Sequence, residues 1–179
     1  MKPITLVDFV DFLDQQTDKS FRGDTVDKFL TEHKVNSDDF APFMFFREET
    51  YGRNLIFRGE HYELLVLTWL PEQRTPIHNH AGSRCWMLVQ TGKLAFRTFK
   101  APNLNKVELV CKGPVETIAA GSQVYIDDGI GVHCIANAST KPAVSVHLYA
   151  APIEQCQIYN EANKKFEWTQ LEYFTHPNL

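Results

Sequence analysis

The sequence predicts a mainly β domain, a small barrel or sandwich set behind a short helical preface. Three observations carry this reading. Strand-like runs recur at close intervals from Tyr51 onward, turn signals separate them, and apolar residues before Tyr51 follow helical spacing instead. In the preface, residues 1–45, Ile4, Leu6, Val7, Val10 and Leu13 form a helical stripe that Phe9 and Phe12 widen. Asp24 is placed to cap a second short helix carrying Val26, Phe29 and Leu30, and Asn36-Ser37-Asp38-Asp39 to open a third. The β body, residues 51–175, is punctuated at Arg58-Gly59, Thr91-Gly92, Pro102-Asn103, Lys112-Gly113-Pro114, Ala120-Gly121-Ser122, Asp127-Asp128-Gly129 and Lys141-Pro142. No repeat, low-complexity stretch or linker interrupts it, so residues 1–179 read as one domain.

Composition narrows the function classes. A chain of 179 residues, 44% of them apolar, is long enough to bury a sizeable core. The formal charge is -4 and Lys and Arg form no long run, which argues against a nucleic-acid or anionic-membrane partner. Asp8, Asp11 and Asp14 break up the N-terminus, so no secretory leader is expected there, and no apolar stretch approaches the ~20 residues of a membrane span. Cys85, Cys111, Cys134 and Cys156 show neither a CxxC pair nor zinc-finger spacing. Free thiols in a reducing cytoplasm are the expectation.

The most telling local feature is His78-Asn79-His80. Residues i and i+2 of a strand point to the same side, so two imidazoles in this spacing can grip one transition metal. Leu64–Leu70 before them and Cys85–Gln90 after them both read as strands. The run His78-x-His80, four residues, Cys85, six residues, Gly92 resembles the first motif of the cupin class, with cysteine where an acid usually stands. His133, three residues, Asn137 resembles the end of the second motif. That resemblance implies a cupin-type small β-barrel, or jelly roll, with the short N-terminal helices packed on it.

With Cys85 in place of the acid, a metal held by neutral imidazoles keeps its full charge and open positions, unlike the usual facial triad of two histidines and a carboxylate. Here the chain is similar to the cysteine dioxygenases, mononuclear iron enzymes that oxidise cysteine to cysteine sulfinic acid. The resemblance rests on Tyr51-Gly52-Arg53-Asn54, the segment from His78 to Cys85, His133, and Ser145-Val146-His147-Leu148-Tyr149. It implies Fe(2+) on His78, His80 and His133, a substrate carboxylate held by Arg53, and Tyr51 lining the same pocket. It further implies a thioether crosslink between Cys85 and Tyr149, a relay from Ser145 through His147 to the Tyr149 hydroxyl, and Cys156 near the pocket mouth. Asn79 stands where animal members carry aspartate, and Ala150-Ala151-Pro152 where they carry Ser-Pro-Pro with an unusual cis peptide. The implied partners are L-cysteine and O2, acted on by a monomer.

The roles suit the residue types. Ser145, His147 and Tyr149 alternate, so all three face one side of a strand, and an inward polar triplet requires mutual partners or a site. Arginine takes a carboxylate with two parallel hydrogen bonds, which lysine cannot do. The remaining histidines, His33, His61 and His176, read as ordinary structural or surface residues, as do Arg47 and Arg58. Cys111 and Cys134 read as structural, and Trp69 and Trp86 as packing. The competing functions are a cupin that binds a metal or small anion without catalysis, a dioxygenase preferring 3-mercaptopropionate, and a zinc or manganese isomerase. None of the competitors that lack sulfur oxidation gives a reason for Arg53, Cys85 and Tyr149 together.

Overall fold

The computed structural model describes residues 1–100 and 109–176. In chain order the elements are β1 (Lys2–Ile4), α1 (Leu6–Asp14), α2 (Asp18–Arg22), α3 (Thr25–Glu32), β2 (His33–Val35), a 3-10 segment (Ser37–Phe43), β3 (Gly52–Arg58), β4 (Glu63–Trp69), β5 (Arg84–Thr91), β6 (Lys93–Lys100), β7 (Val110–Cys111), β8 (Glu116–Ala119), β9 (Gln123–Ile126), β10 (Val132–Ala136), β11 (Ala143–Ala150), β12 (Gln155–Asn160) and β13 (Lys165–Gln170).

The preface matches the sequence reading in its main helix. Thr5 opens α1 with a capping box, its side chain accepting from Asp8 N while the Asp8 carboxylate accepts from Thr5 N. Phe9 and Leu13 point inward and are buried. Three details differ from the expectation. A short helix, α2, precedes the one that begins at Asp24. Asp24 sits at the N-cap of α3 but makes no side-chain cap, because its carboxylate is turned to Lys28 at 2.7 Å. The third helix is 3-10, with Pro42 inside it. The preface also holds two strands that no periodicity announced, β1 and β2, paired in parallel. They are three residues each, too short to show a period of two.

The β body forms two main sheets. One runs β3-β4-β11-β5-β9, and the other β10-β6-β7 with β8 also on β6. The β12-β13 hairpin completes it. The Pro102-Asn103 turn signal lies outside the described residues. Strands β4 and β11 are buried along their whole length, which follows from apolar packing on both faces of the five-stranded sheet. Leu64, Val66, Val144, Val146 and Leu148 pack with Phe9, Leu13, Val26, Leu30 and Phe40 of the preface. The intervening Leu65, Leu67 and Trp69 turn the other way and pack with Leu94, Phe96, Ile118 and Ile135 of the second sheet. The jelly-roll expectation is met: two sheets face each other, and helices cover the back of one. The Ala150–Ala151 peptide that follows β11 is cis.

Leu148 is fully buried between β11 and the preface. Leu148→Ala is expected to lower unfolding free energy by about 2–5 kcal/mol, read from urea denaturation midpoints. A loss near zero would show that the helices contribute little to the fold.

Candidate metal centre and substrate pocket

The three histidines are brought together by the backbone. His78 does not lie within a long strand, as its spacing suggested; it forms an isolated bridge with His133 of β10 and another with Ile158 of β12. His78 N donates to His133 O, and His133 N donates to His78 O, each at 3.0 Å. A pair that exchanges both bonds stands side by side with its side chains on one face. His80, two residues on, lies beyond the bridge in a tight turn where Ala81 and Gly82 have φ of 51° and 88°. Glycine enters that left-handed region without cost. The turn is held by Asp128, whose carboxylate accepts from His80 N and Gly82 N, both at 2.7 Å. Asn79 points away and exchanges hydrogen bonds with Gln157.

The resulting group places one ring nitrogen of each of His78, His80 and His133 within 4.8 Å of the others. His78 Nδ1 lies 2.9 Å from the Pro76 carbonyl. As an N–H it donates there and leaves Nε2 as a lone pair for a cation. His80 and His133 each keep a buried Nδ1 without a partner among the described residues. Burial holds all three neutral, pushing His78 down to about 4 and the other two well below the usual imidazole range. Three neutral imidazoles converging at the wall of a cavity fit a first-row transition metal.

The group opens on a cavity of about 250 Å³ lined by Tyr51, Arg53, His78, His80, His147 and Tyr149, with Cys156 also at its wall. That is smaller than the ~300–1,000 Å³ of typical drug-sized sites and suits a ligand of amino-acid size. His133, Cys85 and Ser145 do not line it; they stand in the buried layer behind. Tyr51 stacks on Trp69 with ring centroids 4.9 Å apart. Arg53 is buried, and among the described residues its Nε and Nη2 have no hydrogen-bond partner, the Glu63 carboxylate being 3.6 Å from Nη2. A guanidinium with unused N–H groups at a cavity wall has the donors that a carboxylate requires.

Behind the pocket runs a one-way hydrogen-bond chain. Trp69 Nε1 donates to Ser145 Oγ at 3.0 Å, and Ser145 Oγ lies 2.8 Å from His147 Nε2. Since indole only donates, Ser145 is free to give its own proton to Nε2. Burial first, and then the charge of Arg53, push His147 down to about 3, so the ring is neutral, and with Ser145 as the donor to Nε2 its one proton is on Nδ1. Nδ1 then donates to the Tyr149 hydroxyl at 3.4 Å, a long bond. Tyr149 stays protonated, because burial pushes its pKa well up. Cys85 stands directly opposite Tyr149 in the β5–β11 register, with Sγ 3.7 Å from His147 Nδ1.

All ten residues named from the sequence thus meet in one place. The sequence reading missed others. Asp128 was visible only as part of a turn, and Trp69 only as packing. Glu63 had a signal, a charged residue heading the apolar run Leu64–Leu70; it is fully buried, 3.6 Å from Arg53. Tyr173 had none, because its role depends on the last residues folding back over β3. Arg58 reaches Tyr173 and Glu154, and Arg47 lies over the Phe174 ring, so neither is idle. Cys111 is exposed and has no evident structural duty.

Fold and site together define a double-stranded β-helix, or cupin-class, protein with a three-histidine metal-binding group. A solved structure titled an uncharacterized conserved protein with double-stranded β-helix domain, from Klebsiella pneumoniae, aligns with a TM-score of 0.52 at 16% identity, covering 76% of this chain and 96% of that one. In sequence, residues 1–162 match the family model of cysteine dioxygenase type I. Curated relatives named cysteine dioxygenase type 1 include one from Danio rerio, 32% identical over 98% of this chain and 89% of its own length. The human protein of that name is 31% identical over 90% of this chain and 82% of its own length. The chain belongs to the cysteine dioxygenase type I family.

Two outcomes follow from this geometry. Asp128→Ala frees the turn bearing His80 and is expected to weaken metal binding about 10–100-fold, measured by competition with a chromogenic chelator; unchanged affinity would mean the turn is held by other contacts. The metal-free protein should lose stability as pH falls below the ordinary histidine value of 6.5, because the unfolded chain takes up protons that the folded one refuses down to about 4 at His78 and about 3 at His147. Each such group contributes a slope of about 1.4 kcal/mol per pH unit in that window. Urea midpoints that stay flat between pH 6.5 and 4 would contradict the neutral assignment.

Proposed function

We propose that this chain is an Fe(II)-dependent thiol dioxygenase that converts L-cysteine and O2 to cysteine sulfinic acid. The observation that carries the reading is the joint lining of one small cavity by histidines of the metal-binding group and a buried Arg53 whose Nε and Nη2 have no hydrogen-bond partner among the described residues. Membership of the cysteine dioxygenase family supports the same substrate.

His78, His80 and His133 would hold the iron. Bound there, it would supply the redox chemistry of O2 and lower the pKa of a substrate thiol. Arg53 donates to the substrate carboxylate and so fixes the far end of the molecule, with Tyr51 closing the wall beside it. Holding the reactants in place before reaction is worth as much as ~7–11 kcal/mol in the best intramolecular cases. Tyr149, with His147 occupying one lone pair of its oxygen, points its own proton into the cavity, where it donates to the substrate carboxylate or to oxygen. Trp69 and Ser145 fix the tautomer of His147 and hence the direction of that proton. Cys85 and Tyr149, cross-strand partners with their side chains together, are the pair we assign to a thioether crosslink. The four cysteines are unpaired, which suits a reducing cytoplasm, and among the described residues no helix is long and apolar enough to cross a membrane. The partners in this reading are L-cysteine and O2, acted on by a monomer.

The deciding experiment reconstitutes the protein anaerobically with Fe(II) and follows O2 uptake and sulfinate by mass spectrometry with L-cysteine, 3-mercaptopropionate and cysteamine. Sulfinate from L-cysteine at about one O2 per thiol, the stoichiometry of two-atom insertion, establishes the activity. An iron-loaded protein that oxidises no thiol would overturn it. Arg53→Gln is expected to cost L-cysteine about tenfold or more in KM, the scale of a lost charge-assisted hydrogen bond. Cys85→Ser should abolish any crosslinked species on a denaturing gel while leaving measurable turnover.

A further inference from the structure

Arg53 has a second possible carboxylate partner, and it belongs to the protein. Glu63 opens β4 with its side chain completely buried, and its Oε1 stands 3.6 Å from Arg53 Nη2. That separation is too long for a hydrogen bond. Both atoms are buried, and neither has a hydrogen-bond partner among the described residues. Two opposite charges in a desolvated setting attract strongly, and each here lacks what the other has to offer. The gap between them therefore needs a restraint.

Tyr173 is placed to be that restraint. Its hydroxyl is 2.5 Å from Glu63 Oε2, the carboxylate oxygen remote from Arg53. Arg58 Nη1 approaches the same hydroxyl at 3.1 Å. A guanidinium only donates, so the phenolic oxygen accepts from Arg58 and its one proton goes to Glu63. Arg58 is itself tied to Glu154 at 2.6 Å. The backbone around Tyr173 is fixed independently: Phe174 N donates to Arg53 O at 2.7 Å, and Leu171 N to Glu154 O at 2.8 Å.

We infer that Tyr173 holds the Glu63 carboxylate back from Arg53 and so keeps the guanidinium free for the carboxylate of the substrate. Tyr173 and Glu63 are positioning residues in this scheme, and they act only on ligands that bear a carboxylate. The inference rests on the reading of Arg53 as the substrate clamp. Without the Tyr173 hydroxyl, Glu63 loses the partner of one buried oxygen and closes on Arg53, and an entering carboxylate then competes with an internal one. A ligand that binds through thiol and amine alone meets no such competitor.

The test compares the iron-loaded protein with Tyr173→Phe, Glu63→Gln and the double variant, measuring KM and kcat for L-cysteine and the inhibition constant of cysteamine, which has no carboxylate. Tyr173→Phe is expected to raise KM for L-cysteine about tenfold, the scale of one charge-assisted hydrogen bond, with a smaller change in kcat and an unaltered cysteamine constant. Adding Glu63→Gln should bring KM back toward the parent value. Glu63→Gln alone should leave KM no higher than the parent's, and it serves as the test if Tyr173→Phe does not fold. Parallel losses for both ligands, or a Glu63→Gln protein as impaired as Tyr173→Phe with no recovery in the double variant, would overturn the inference. Arg53→Gln separates the two levels: if it spares the discrimination between L-cysteine and cysteamine, the clamp itself is wrong. If it abolishes that discrimination while Tyr173→Phe does not, only the role of Tyr173 falls.

Discussion

Strand β11 has no exposed side, and its alternation decides what each half of the protein can be. Val144, Val146 and Leu148 face the helices, while Ser145, His147 and Tyr149 face the space between the sheets. Shifting this strand by one residue against β4 or β5 would send three polar side chains into an apolar layer and remove them from the site. Register is strongly specified under that condition. The same pairing sets Cys85 beside Tyr149 and aligns Ser145 with Leu67. The helical preface, which contributes nothing to the cavity lining, is the apolar partner that makes the register matter.

Charge is arranged as sparingly as shape. Burial keeps His78, His80, His133 and His147 neutral, so a metal ion would meet lone pairs rather than protons. Arg53 brings a buried positive charge to the cavity wall, and the Glu63 carboxylate stands 3.6 Å from it, beyond hydrogen-bond distance. Burial pushes the Glu63 pKa up, and Tyr173 and Arg53 pull it back. In the proposed reading an anionic substrate completes that arrangement, and a neutral or cationic one leaves the free N–H groups of Arg53 unused.

Much of this was legible in the sequence because it is written at short spacing. Three polar residues alternating in an apolar strand, two histidines one apart, and a capped helical stripe each follow from a local period. The pairing of His78 with His133 was visible only as two motifs, and the structure supplied the reason they meet: two reciprocal backbone bonds between segments far apart in the chain. The expectation that His78 and His80 share a strand was too regular. The metal spacing survives because a bridge and an Asp128-held turn reproduce it. What stayed hidden depends on contacts across long separations. Glu63 meets Tyr173 over 110 residues, and Trp69 meets Ser145 over 76. No period encodes such a partner.

The last described residues do more than deliver Tyr173. Strand β3 is an outer strand of the five-stranded sheet, and Thr175 forms a parallel bridge with its Asn54. Leu55 N donates to Thr175 O at 3.1 Å, and the Thr175 hydroxyl reaches Asn54 Oδ1. An uncovered outer strand is a template for pairing with another molecule. Here the chain covers part of that edge with its own tail, so the stretch that guards the edge is also the one that brings Tyr173 to Glu63. A change that loosened it would invite aggregation at the moment it disturbed the pocket.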